Sequence, residues 1–381
     1  MKRTWATAAA VLAFVPVACG PGTPDAAGLL ERRSEALLDG DRAAFAATGD
    51  PGAWESLRVL DPAAWRYRVT GTSGQGGDTT TVEAELRYRL RQDRGTATAH
   101  RVLTLSREGE GEGEGGGDGA WRVVSDRPAP GRPEQLWDGD APLRGADTAR
   151  SRVLAAGDAD PRDYTPLGDE AARAVAEAWD VDVRPLVVVP ESTEAMARLL
   201  GAPAATYRRT AAVATPGEAP RVVVNPEAFA TLDASARQIV VTHETTHVAL
   251  RPSTTARTPM WLSEGCADWT AFRGSERGND PARAAPALAR AVRDGRVPPR
   301  LPTDEEFAFG GDAETVGRAY EGAWLACRLV ADRWGERAVR ALHDAAGAEG
   351  EEAALREVLG VDRARFTELW RASLRTELDD T

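Results

Sequence analysis

The alternation of apolar and polar positions divides the chain into two unlike parts. In the amino-terminal part, Val82, Ala84, Leu86, Tyr88 and Leu90 alternate with Glu83, Glu85, Arg87 and Arg89. A period of two puts the first set on one face of a strand and the second on the other, so the segment reads as a half-buried antiparallel strand. Residues 96–105 and 121–124 read as its partners, and 28–47 as helix. The expectation for residues 20–140 is a small α+β domain, helix followed by curved antiparallel sheet. Between its later strands, 108–119 is a Glu/Gly run with nothing to pack and is expected to be disordered. A Pro/Gly/Asp-rich stretch, 128–147, reads as a connection, with the linker between domains placed at 141–150.

Beyond it the period changes. Short apolar runs at 151–155, 184–189, 211–214 and 221–224 read as strands, with helices at 169–179 and 194–200 between them. Pro216 and Pro220 mark a turn between the last two strands. After Trp269 the pattern is helical to the end. Residues 151–375 therefore read as a second α+β unit, a mixed sheet followed by a helical carboxy-terminal part.

One helix of this unit carries chemistry. Asp233 can cap a helix through Ala236, Ile239, Val240, Val248 and Leu250, with Pro252 beyond its end. On it lie His243-Glu244-Thr245-Thr246-His247. Two imidazoles four residues apart share a helix face and can hold one ion. The chain has 4 histidines, and two of them share this turn. After 16 intervening residues comes Glu264, inside Trp261-Leu262-Ser263-Glu264-Gly265-Cys266-Ala267-Asp268-Trp269. Glu264 and Asp268 share a helix face in a segment too apolar to be an ordinary solvated surface, and buried carboxylates need a cation or donors nearby. His243, His247 and Glu264 thus read as three ligands of one zinc ion per chain. Three protein ligands leave the fourth position open, as in catalytic zinc sites. Asp268 is placed to accept a ring N–H from a ligand histidine. Glu244, beside the metal but not aimed at it, reads as the general base that takes a proton from attacking water.

These segments resemble the gluzincin peptidases, the group with thermolysin-like and aminopeptidase N-like sites. There an HExxH helix precedes a second helix often written W-L-x-E-G-x-A, and residues 261–267 match that wording. Tyr320-Glu321-Gly322-Ala323 is similar to the Y-E-K-G-A segment of the aminopeptidases, without its lysine; the G-x-M-E-N exopeptidase signature is absent. The broad peptidase MA-like family of bacterial lipoproteins is the nearest in character. The resemblance implies a thermolysin-like zincin fold over the second unit and hydrolysis of peptide or protein substrates. It implies that Tyr320 stabilises the tetrahedral intermediate. It also implies that the strand before the HExxH helix, Arg221, Val222, Val223, Val224 and Asn225, forms the edge that pairs with substrate backbone. For the amino-terminal unit, the order helix then curved sheet resembles the nuclear-transport-factor-like cone fold, which implies either a ligand pocket or a spacer.

Composition narrows the partners. A net charge of −12 argues against nucleic acid. Lys2 is the sole lysine, so the many arginines reflect base composition. Lys2 and Arg3, followed by an apolar run from Ala8 to Val17, read as a signal segment over residues 1–19. The run is too short to span a bilayer as a mature helix. Val17-Ala18-Cys19-Gly20 resembles a bacterial lipobox, which implies that Cys19 is acylated and holds the protein to the outer face of the cytoplasmic membrane. Cleavage and secretion is the other outcome, and both lie outside the cytoplasm. There Cys266 and Cys327 are either bridged or remain two buried thiols. The alternative to an enzyme is a zinc-peptidase scaffold used as a surface binding or regulatory module; such a module has no need of Glu244.

Overall fold

The computed structural model describes residues 25–74, 77–107, 120–308 and 311–378. The signal segment with Cys19 and the Glu/Gly run at 108–119 lie outside the described residues. The fold is α+β, with a four-stranded antiparallel sheet, a five-stranded mixed sheet and many helices.

Three helices open the described residues: α1 (Ala26–Asp39), α2 (Arg42–Ala47) and α3 (Ala53–Val59). They break where the sequence stops favouring helix. Gly40 ends α1 with φ +75°, and Asp41 caps α2 through its side chain. The first sheet follows as β1 (Pro62–Ser73), β2 (Thr79–Leu90), β3 (Ala97–Arg107) and β4 (Trp121–Pro128), paired in chain order. On β2 the alternating set from Val82 to Leu90 is buried. Its first half packs under Leu29 and Leu30 of α1. Its second half, with Trp65, packs on Leu154, Leu186, Val188 and Val223 of the second unit. The two units therefore share a hydrophobic core.

The second sheet runs β5 (Leu143–Asp147), β6 (Arg152–Ala156), β7 (Leu186–Val189), β8 (Ala212–Ala214) and β9 (Val222–Val224), in the spatial order β5-β6-β7-β9-β8. The three central strands are parallel, and each edge strand is antiparallel to its neighbour. Both faces are covered, which explains why β7 is a continuous apolar run and β6 is one after Arg152. Val153, Val187, Val222 and Val224 face the helical side; Leu154, Val188 and Val223 face the amino-terminal unit.

Two expectations are corrected here. The supposed linker at 141–150 contains β5, which pairs with β6 from Leu143↔Ala156 to Asp147↔Arg152. Its polar composition suits an edge strand whose outer face meets water. Arg221–Asn225 is not the sheet edge either: β9 is hydrogen-bonded on both sides, to β7 and to β8, and its three valines are buried. The edge strand on that side of the sheet is β8.

The helical side comprises α4 (Thr165–Trp179), α5 (Thr193–Leu200), α6 (Pro226–Ala230), α7 (Ala234–Leu250), α8 (Met260–Phe272), α9 (Pro281–Ala284), α10 (Pro286–Arg293), α11 (Ala313–Trp334), α12 (Glu336–Glu349), α13 (Glu351–Ala354) and α14 (Arg363–Leu378). Asp233 caps α7, accepting from Ala236 N–H at 2.8 Å. The α8 helix is pinned at both ends by indoles: Trp261 donates to Glu351, and Thr270 accepts from Trp179.

In this part α8 packs closely against α11. A Cβ on Gly265 would lie 2.4 Å from Ala323 O and 2.8 Å from Cys327 Sγ. Gly265 is thus what lets α11 approach α8. Cys266 and Cys327 meet at the same contact as buried free thiols, Sγ to Sγ 3.9 Å. Gly265→Ala is expected to overpack this contact and destabilise the protein by about 1–3 kcal/mol. Thermal unfolding measures it; an unchanged midpoint would mean the helices separate freely.

Candidate metal centre

Three helices and one strand converge on a cleft of about 1150 Å³. The α7 helix supplies His243, Glu244 and His247, α8 supplies Glu264 and Asp268, α11 supplies Tyr320, and β8 forms one wall. All six side chains singled out from the sequence for the metal and its chemistry reach this cleft.

The donor atoms converge closely. His243 Nε2 and His247 Nε2 are 3.1 Å apart, and Glu264 Oε2 lies 3.2 Å from the first and 3.3 Å from the second. Zinc bonds of about 2.0–2.1 Å in a tetrahedron require donor separations of roughly 3.3–3.4 Å. The triangle is therefore one face of such a tetrahedron, and two imidazoles with one carboxylate are a donor set zinc accepts. Among the described residues these three form the group able to hold a metal ion.

Behind His243, Nδ1 lies 2.7 Å from Asp268 Oδ1. Against a carboxylate, Nδ1 carries the proton, which leaves the Nε2 lone pair aimed at the triangle. Burial opposes a charge on His243, but the Asp268 and Glu264 carboxylates outweigh it and hold the imidazole pKa well above its ordinary value. Burial likewise works against the Glu264 carboxylate; the two imidazoles reverse that and hold it well below the usual range.

Glu244 stands next to the donors but bonds elsewhere. Its Oε2 accepts from Ala214 N–H at 2.7 Å, tying α7 to the edge strand. Burial pushes its pKa up, partly offset by His243 and His247. The β8 strand bonds β9 through Ala211, Val213 and Thr215. Alternation then turns the Ala212 N–H and the carbonyls of Ala212 and Ala214 towards the cleft.

Tyr320 is half-buried, edge-on to Phe307 with ring centroids 5.1 Å apart. Its ring centroid is 6.3 Å from that of His243. Burial raises its pKa, and the carboxylates of Glu264, Asp268 and Glu244 raise it further, so the hydroxyl keeps its proton. Its neighbour Glu321 serves the scaffold instead: its carboxylate accepts from the N–H groups of Ala287 and Leu288 at the start of α10.

Of the remaining histidines, His343 is buried edge-on to Trp179 and within reach of Thr254 Oγ1. His100 is exposed on β3. Neither joins the cluster. Two features of the cleft escaped the sequence reading. The Ala214 N–H is a backbone group with no residue-type signal. Arg251 lines the cleft four residues after His247, a spacing that was open to notice.

No family model matches the chain, and no curated protein matches it. Among solved structures it aligns with an M1 zinc metallopeptidase mutant from Deinococcus radiodurans bound to a Tyr-Ser-Ala substrate. The identity is 14% and the TM-score 0.38, over 81% of this chain and 64% of that one. The chain thus spans less than two thirds of that neighbour's length. A superposition this loose carries no argument, and the chemistry rests on the residues themselves.

The electrostatics predict how zinc should bind. The carboxylates that raise its pKa favour the protonated form of metal-free His243. That proton must leave when Nε2 becomes a ligand, whereas Glu264 is already ionised. Zinc binding is expected to release protons and to weaken as pH falls. Calorimetric titration in buffers of different ionisation enthalpy counts the protons. A binding heat independent of the buffer would contradict a protonated His243.

Proposed function

We propose that this protein is a zinc-dependent peptidase of gluzincin type. The observation that carries the reading is the closed triangle of His243, His247 and Glu264 with Glu244 beside it, facing an edge strand that has backbone groups to spare. In this reading His243, His247 and Glu264 hold one zinc ion and Asp268 keeps His243 in the ligating tautomer. Bound zinc would supply Lewis acidity at the carbonyl and make water a stronger acid.

The chain's own groups do the rest. An extended substrate adds to β8 through the outward groups of Ala212 and Ala214, which fixes its scissile carbonyl over the donors. Glu244 takes the proton of the attacking water on a carboxylate oxygen. Its raised pKa makes it the stronger acceptor and suits it to return the proton to the leaving amine. The Tyr320 hydroxyl, held protonated, donates to the oxygen on which negative charge develops. The targeting segment ending at Cys19 would place this activity outside the cytoplasm, on a lipid anchor. A surface module that only binds would need Glu244 for nothing beyond its bond to Ala214 N–H.

Two substitutions separate the roles. Glu244→Gln keeps size and the Ala214 contact, so zinc content should hold while casein hydrolysis falls by about 10²–10⁴-fold. Tyr320→Phe keeps the ring on Phe307 and should lower kcat by about 10²–10³-fold, with unfolding temperature and zinc content nearly unchanged. Undiminished turnover in the first would sink the mechanism. Wild-type kcat in the second would return Tyr320 to packing and leave the oxyanion without a side-chain donor.

A further inference from the structure

Buried arginines in this molecule meet carboxylates. Arg33 faces Asp50, Arg101 pairs with Asp126 and Asp138, Arg152 with Asp61 and Asp147, and Arg221 with Asp93. That is the physical expectation, since a guanidinium removed from water needs a counter-charge. Arg251 departs from it. The residue is half-buried, its Nε is shielded from water with no hydrogen-bond partner, and no carboxylate among the described residues pairs with it; Arg371 shares these traits but does not line the cleft, and the bare Nε atoms of Arg152 and Arg221 belong to guanidinium groups that do meet carboxylates.

Its place explains what it faces. Arg251 ends α7 with helical dihedrals, φ −48° and ψ −41°, so it continues the stripe of His243 and His247 at four-residue spacing. It lines the same cleft as they do. With Val248 it also borders the turn between β8 and β9, a side lined as well by Arg94, Arg184, the exposed Glu218 and Asp93, the last already paired with Arg221. It therefore stands at the end of the cleft where the edge strand turns away.

The charge of the cleft is lopsided. Its carboxylates, among the described lining residues, are Glu244, Glu264 and Asp268, all gathered at the donors. The other charged lining residues are Arg208, Arg209 and Arg251. Arg208 and Arg209 are exposed ahead of β8, at the opposite end from Arg251, and suit the attraction of an anion from a distance. In a chain of net charge −12, the walls of this one cleft away from the donors are cationic.

We propose that Arg251 determines specificity by binding a carboxylate of the substrate, so that the cleft selects acidic peptides. The carboxylate is an Asp or Glu side chain, or a free carboxyl terminus, lying near the β8–β9 turn. A half-desolvated guanidinium binds such a group by two parallel hydrogen bonds, and discriminates against its neutral amide. The inference rests on the reading of this cleft as a peptide site.

The test measures binding, not turnover, on the zinc-loaded full-length chain carrying Glu244→Gln. The probes are acetylated, amidated heptapeptides of alanine and leucine with one Glu walked along the sequence, and the same series with Gln. A further arm has neither but ends in a free carboxyl group. By calorimetry, Glu should bind at least ~10-fold tighter than Gln at one position or two neighbouring ones, or the free-carboxyl arm should gain as much over its amide. The arm that discriminates names the source of the carboxylate. Adding Arg251→Met should bring the ratio to about one at unchanged zinc content, and Arg251→Lys should restore part of it. Equal affinity for charged and neutral probes throughout, or a preference that survives Arg251→Met, would overturn the proposal. If the preference is present and lost in Arg251→Met while the native chain cleaves no probe, the carboxylate site stands and the peptidase reading fails.

Discussion

The structure around the cleft depends on one electrostatic problem. Three carboxylates, Glu244, Glu264 and Asp268, and two imidazoles are gathered, largely buried, on two helices. Carboxylates this close cannot all stay ionised unless positive charge sits among them. Without a metal the proton load falls on His243, whose pKa is driven up by Asp268 and Glu264. A divalent cation solves the same problem better, because the three donor atoms already span one face of its coordination shell. The divergent pKa directions of the carboxylates follow from this. Glu264, between the imidazoles, is held low; Glu244, with a single backbone donor and burial against it, is held high. Like groups are thus set apart by environment into a charge that stays and a group that can exchange a proton.

Keeping five ionisable side chains at these distances takes a stiff frame. The close approach of α8 and α11 at Gly265 brings Tyr320 within reach of the donors, and the indoles of Trp261 and Trp179 anchor α8. The amino-terminal unit belongs to this frame. The guanidinium of Arg221, at the start of β9, donates to Tyr88 Oη and pairs with Asp93, both on or beside the first sheet. The turn at Gly95 packs so tightly on Glu218, in the β8–β9 turn, that a Cβ there would lie 2.2 Å from its carbonyl oxygen. The edge strand of the cleft is braced from outside by the first sheet. A loosely tethered spacer would not share a core with the sheet it serves.

What could be read from the sequence was whatever carried its own period. The α7 helix announced itself through its cap and through two histidines one turn apart, and Glu264 with Asp268 through four-residue spacing in an apolar segment. The β2 alternation gave both the strand and its buried face. What failed had no period to offer. A run of three valines at 222–224 suits an edge strand and an internal strand equally, and only pairing partners decide between them. The stretch 141–150 is polar because β5 is an edge, not because it is a linker. The β1 strand, with its arginines and threonines, lacks the clean alternation of β2 and went unread. Arg251 looked like one arginine among many until the structure placed it in the cleft with no carboxylate partner among the described residues.

The central claim is that a metal held by His243, His247 and Glu264 makes this chain a hydrolase. The most direct measurement is metal content by mass spectrometry on the purified full-length chain, read beside hydrolysis of casein before chelation, after it, and after zinc is returned. The account predicts about one zinc per chain, loss of hydrolysis with loss of the metal, and recovery of both together. Casein hydrolysis that persists in metal-free protein, or a chain that takes up zinc fully and cleaves nothing, would contradict it.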